Sequence, residues 1–148
     1  VVTEIDLQAQ KDIYLVRMKL AEIIGASQPE DPTPETLQSL DELADRCRSA
    51  MENPNPREFG EINIGLHRQI QSVIRNQPLR ETSDRLFYQT SRMWFRLLPR
   101  MDLKEELGLL HEEILAVRRF FELGDVESVG FTHRNYLSIV ARRLDQFS

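Results

Sequence analysis

The chain has 148 residues, with 7 Pro, 6 Gly, one Cys and a formal net charge of -5. Its 41% hydrophobic and 29% charged content suits one domain with a buried core and excludes Gly/Pro-rich disordered classes. The lone Cys47 excludes an intrachain disulfide framework and any Cys-rich zinc module; no apolar run approaches the roughly 20 residues of a membrane span, and the acidic balance argues against this piece gripping DNA or RNA by itself.

Helix signals dominate in chain order, and two-residue alternation is rare. The first predicted helix runs from about Ile5 to Ser27, with Ile13, Val16, Leu20, Ile23 and Ile24 on one face. The second opens at Thr33, an N-cap, followed by Pro34 at the first helical position. Its stripe is Leu37, Leu40, Leu43, Ala44 and Cys47, and it ends before Asn53-Pro54-Asn55-Pro56.

The third helix runs from about Arg57 to Arg75, with Phe59, Leu66, Ile70 and Val73 inward. The fourth spans about Pro78 to Leu98 and carries Leu79, Leu86, Phe87, Met93, Trp94 and Leu97 before Pro99 stops it. The fifth starts at Asp102, with Glu105 three residues on in a capping-box pattern. Its stripe is Leu103, Leu107, Leu110, Ile114, Val117 and Phe121. Gly124-Asp125 is a turn, and the sixth helix uses Val126, Val129, Tyr136, Leu137, Val140 and Leu144. The expectation is one all-α domain over residues 1–148, an antiparallel bundle of about six helices.

The three histidines, His67, His111 and His133, each fall on the apolar face of a predicted helix, because residues three or four apart share a face. Asn63 lies one turn before His67 and points the same way. A buried imidazole needs partners for its ring nitrogens. Each of these rings satisfies that need either through a backbone carbonyl or polar neighbour, or by sharing a metal ion with the others. Imidazole suits Zn, Ni, Cu and Fe. Spacing alone does not show that the three helices bring their histidines together.

The ordered motifs resemble a known family. Asn63-Ile64-Gly65-Leu66-His67 resembles the Asp-x-x-[Phe/Leu]-His motif of the FCD domain, the ligand-binding domain of FadR-type regulators in the GntR class of bacterial transcription factors. Ile74-Arg75-Asn76-Gln77-Pro78-Leu79 resembles that family's Gly-Asn-x-x-Leu stretch. His111-Glu112-Glu113-Ile114-Leu115-Ala116-Val117, then Gly124-Asp125, resembles its His-x-x-Ile-x-x-Ala-Ile and Gly-Asp signature, and His133 stands 22 residues after His111. Arg17-Met18-Lys19-Leu20 resembles its Arg-x-x-Leu, with Ala21 where the family has Glu.

The resemblance implies that this all-α bundle surrounds a central effector and metal cavity, in an effector-sensing domain that is not an enzyme. It implies a divalent metal, zinc first with nickel or manganese as alternatives, on Asn63, His67, His111 and His133. Asn63 replaces the family's Asp with a neutral and poorer donor. It further implies a small carboxylate effector, for which Arg17, Arg92 and Arg96 are the candidate clamps. A homodimer, a cytoplasmic location and DNA contact only through a winged helix-turn-helix outside these residues follow from the same resemblance, with Val1 to about Ile5 as the end of a linker. Two other readings compete. One is a metal-dependent hydrolase, for which Glu112 and Glu113 project about 100° and 200° away from His111. The other is a metal-free module whose histidines hydrogen-bond an acidic ligand.

Overall fold

The structure, a computed structural model, describes residues 6–147. The linker reading of residues 1–5 lies outside them. Six α-helices make the fold: α1 (Leu7–Glu22), α2 (Pro34–Ala50), α3 (Pro56–Gln71), α4 (Gln77–Leu97), α5 (Leu103–Glu122) and α6 (Val126–Arg143). Short 3-10 turns follow α1, α4 and α6, and the described residues contain no strand.

Each helix starts on a side-chain cap. Asp6, Thr33, Asn55, Asn76, Asp102 and Asp125 each accept from the backbone N–H three residues on, meeting donors that have no partner inside the helix. The caps at Thr33 and Asp102 and Pro34 behind Thr33 are where sequence places them, whereas Asn55 and Pro56, expected in the loop, cap and open α3. Gly124 turns α5 into α6 with φ +71, a left-handed conformation that glycine adopts without a Cβ penalty.

Packing sorts the helices into a ring and a cover. α1 lies along α6 and against α4; α3 joins α4 to α5; α5 closes on α6. α2 lies outside this ring, packed along α5 and α3. The core runs through both layers, with Leu40 and Cys47 of α2, Ile62 and Leu66 of α3, and Leu107, Ile114 and Val117 of α5 essentially sealed from solvent. Ion pairs stitch neighbours at the rim: Arg118 to Asp41 at 3.0 Å, Arg46 to Glu58 at 3.0 Å, and Arg143 to Glu106 at 3.0 Å.

α1 and α6 approach until their backbones touch. A Cβ placed on Gly130 would overlap the carbonyl oxygen of Ala21, and one on Gly25 would lie 2.5 Å from Glu127 Cα. Only glycine fits at these crossings.

Two expectations for α1 are corrected. The helix ends at Glu22 instead of continuing to Ser27, because the chain tightens into a 3-10 turn where Gly25 crosses the start of α6. Its inner face is Tyr14, Arg17 and Ala21, while Val16 and Ile23 are 46% and 48% exposed. The buried face of α1 carries a charge, so an apolar stripe does not mark it.

Candidate functional site

A cavity of about 70 Å³ lies inside the ring. All five ring helices contribute to its wall and α2 does not: Tyr14 and Arg17 come from α1, Asn63 and His67 from α3, Phe87 and Trp94 from α4, Glu106 and Glu113 from α5, His133 and Tyr136 from α6. That volume exceeds what one water needs. The remaining wall is largely apolar, with Phe59, Leu110 and Leu137 among it. Arg17, His67 and His133 also line a second, smaller void of about 20 Å³ toward Ile70 and Ile74, so these three side chains stand as a polar partition inside the bundle.

Arg17 is the buried cation of the site, 9% exposed. Its Nη1 donates to Thr90 Oγ1 at 2.9 Å. Its guanidinium carbon lies 5.3 Å from the Tyr14 ring centre and 5.5 Å from that of Phe87, within cation–π range of both. Trp94 Nε1 donates to the Tyr14 hydroxyl beside it. Among the described residues no carboxylate stands within ion-pair distance of Arg17. Burial pulls its pKa down and the nearby Tyr14 and Glu113 push it back; an arginine remains charged under such a pull. Ala21, where the family pattern has Glu, lies one turn from Arg17 and brings no carboxylate to it.

The two cavity histidines are each tied to a carboxylate. His133 Nδ1 donates to Glu113 Oε2 at 2.7 Å, with both side chains largely buried. His67 Nε2 donates to Asp84 Oδ1 at 2.9 Å, and its ring stacks on Phe87 with centres 3.9 Å apart and planes 3° from parallel. Burial drives the His67 pKa down to about 4; Asp84 opposes this, while His133 and Arg17 add to it. His67 is therefore a neutral imidazole near pH 7. Its donor nitrogen is taken by Asp84, which leaves the other as an acceptor. A carboxylate in this cavity finds its donors on Arg17.

Of the seven residues singled out by sequence, the cavity gathers Arg17, Asn63, His67 and His133. His111 is not among its lining residues. It is half-buried, and its Nε2 is enclosed without a hydrogen-bond partner. The reason is that α5 has two buried faces. Leu107, His111 and Ile114 share one stripe, and Cys47 of α2 donates its thiol to the Leu107 carbonyl at 3.2 Å on that helix. Glu106, Leu110 and Glu113 form the stripe that faces the cavity. Arg92 and Arg96 are exposed on the outer side of α4 and line surface depressions.

Three contributors escaped the sequence reading. Tyr14 lies off the apolar stripe of α1. Glu106 stands in the first turn of α5, where an acidic side chain also suits the helix dipole. Glu113 points away from His111, and that angle is what carries it into the cavity. Burial raises the Glu106 pKa, against the pull of Arg143. The pairing of acidic residues with buried partners was the signal available, since buried carboxylates are rare unless paired.

The donor set bears on the metal expectation. A carboxylate on one ring nitrogen is a usual outer partner for a metal-bound histidine, and His67 and His133 each have one. The third imidazole is absent from the cavity, and Asn63 offers only an amide. Among the described residues no three His, Cys, Asp or Glu side chains are placed to share one ion. As arranged, these residues do not fit a three-histidine metal centre.

Residues 12–120 match the family model for the FCD domain. The chain belongs to the FCD family. This match runs from within α1 to near the end of α5, and with it the all-helical bundle and its cavity take on a meaning: an FCD domain is an effector-binding regulatory module. No curated protein and no solved structure matches the chain. No helix among the described residues of this FCD domain is long and apolar enough to cross a membrane.

Proposed function

We propose that this FCD domain is the effector-sensing half of a GntR-type transcription regulator, and that its effector is a small carboxylate held directly by Arg17 with no metal between them. The observation that carries this reading is the buried Arg17 guanidinium, fixed by Thr90 and two rings and facing a cavity with no carboxylate paired to it. An unpaired buried charge is costly, and an incoming carboxylate relieves that cost through charge-assisted, bidentate hydrogen bonds. His67 and His133, held by Asp84 and Glu113, shape the neighbouring wall. Effector binding then favours one arrangement of the helices and, in a homodimer, of attached DNA-binding domains, limited by the differential affinity for the two states. Regulation of DNA binding by a cytoplasmic metabolite is the expected role, and turnover is not.

The test is a thermal-shift and calorimetric titration with short carboxylates. A ligand at a hundred times its Kd stabilises the fold by about 2.7 kcal/mol, which raises Tm measurably. Arg17→Met, checked for native helicity by circular dichroism, abolishes the shift. Chelator treatment of the wild type leaves it intact. A shift that survives Arg17→Met refutes the proposal. A shift that vanishes with chelator, returns with zinc and is lost in His111→Ala replaces it with the three-histidine metal reading.

A further inference from the structure

The two sides of α1 are inverted in character. Its inward side holds Arg17 between Tyr14 and Ala21. Its outward side carries Leu15, 57% exposed, next to the exposed Val16, with Ile23 exposed at the C-cap. Leu15 and Val16 project about 100° apart, so they straddle a line along the helix. Asp12 and Lys19 lie on that line, one turn to either side, because residues three or four apart share a face. Both are exposed. Gln8 Nε2 donates to Asp12 Oδ1 at 3.0 Å and Lys19 Nζ donates to Glu22 Oε2 at 3.3 Å, both within the same helix. These local contacts leave the two charges open to another surface.

The order along this line is acid, two apolar residues, base, and reversed it is its own complement. A copy of α1 laid antiparallel, with a two-fold axis between Leu15 and Val16, sets Leu15 against Val16 and Asp12 against Lys19, each pair occurring twice. A two-fold interface demands this, since the same patch must complement itself. A parallel copy would set Asp12 on Asp12 and Lys19 on Lys19, and like charges oppose that register. An unrelated partner imposes no such symmetry on the patch.

We propose that the outer face of α1 is the interface with a second copy of this chain, the two α1 helices meeting antiparallel about an axis between Leu15 and Val16. On α6, Arg134 bonds Glu22 of α1 at 3.3 Å, and Phe131 less than one turn before it is exposed. That flank widens the contact beyond two helices toward the roughly 1,200–2,000 Å² of a specific interface. The homodimer of the reading above thereby acquires a surface, whichever effector fills the cavity.

Sedimentation velocity over a concentration series tests it. The wild type forms a dimer. Asp12→Lys and Lys19→Asp, both at exposed positions, each weaken self-association about tenfold or more by setting like charges together. An equimolar mixture of the two variants recovers the dimer, because one copy then carries two bases and the other two acids. A folding defect in either variant cannot produce that recovery. Val16→Glu, native by circular dichroism, also weakens the wild-type dimer. A wild type that stays monomeric throughout overturns the proposal. So does a dimer indifferent to the charge reversals, or a mixture of the two variants that stays monomeric. The thermal shift with short carboxylates is read separately: its absence in a wild-type dimer fails the effector reading alone, and its presence in a monomeric wild type fails the α1 interface alone.

Discussion

Arg17 and Thr90 stand 73 positions apart in the sequence and 2.9 Å apart in space. Thr90 is fully buried, and its hydroxyl hydrogen is directed at the carbonyls of Leu86 and Phe87 on its own helix. That leaves an oxygen lone pair for the guanidinium. A buried hydroxyl thus converts a flexible arginine into a fixed donor. In Thr90→Val the shape is nearly kept and the acceptor is lost. The variant is expected to be about 1–3 kcal/mol less stable in urea denaturation and to bind short carboxylates more weakly. An unchanged midpoint with unchanged affinity would show that Thr90 does not hold Arg17.

The folded pKa of His67 predicts an acid-side loss of stability. The free imidazole titrates near 6.5, whereas the folded one titrates at about 4 because burial penalises the cation. Between those values the unfolded chain holds the extra proton. The contribution is complete above pH 6.5 and is lost as pH falls toward and through 4. The difference in unfolding free energy between the wild type and His67→Gln should therefore shrink by about 3 kcal/mol over that window. Urea melts at pH 4, 5, 6 and 7 measure it, and parallel profiles for the two proteins would contradict it.

Cys47 is predicted to be inert while the fold is intact. It is fully buried, and burial pushes its thiol up to about 11 from 9.0. Two units mean about a hundredfold less thiolate below pH 9, and the thiolate is the reactive form. Iodoacetamide at pH 8 should leave the native protein unmodified in mass spectrometry and label it fully in urea. Rapid labelling of the native chain would mean that α2 opens from α5 far more readily than its packing implies.

Helix existence and helix starts were legible because both are local. Caps such as Thr33 and Asp102 and the Gly124 turn act within a few residues, and the structure places them as read. Facing was legible only where a helix buries one apolar stripe, as α3 does with Leu66 and Ile70. On α1 the buried face runs through Arg17, so hydrophobicity pointed to Val16 and Ile23 instead. On α5 two stripes are buried, one beneath α2 and one toward the cavity. A periodic pattern records that both are apolar or shielded, but it does not say which neighbour each meets. His111 and Glu113 exchanged their expected places for that reason. Arg92 and Arg96 share a face with each other, four residues apart, but that face is opposite the one through Phe87 and Thr90.

The close approach of Gly130 to the Ala21 carbonyl packs α1 and α6 backbone against backbone, so a displacement of one is expected to carry the other. Arg17 and Tyr14 on one and His133 and Tyr136 on the other thus belong to a single stiff slab facing α3 and α4 across the cavity. On the proposed effector reading, a molecule seated there is expected to act as a wedge along that seam. The tilt it produces is carried by the 16 residues of α1, a rod of about 24 Å at 1.5 Å per residue. A small displacement at the cavity becomes a larger sweep at Leu7, the end of the domain through which any upstream segment must enter.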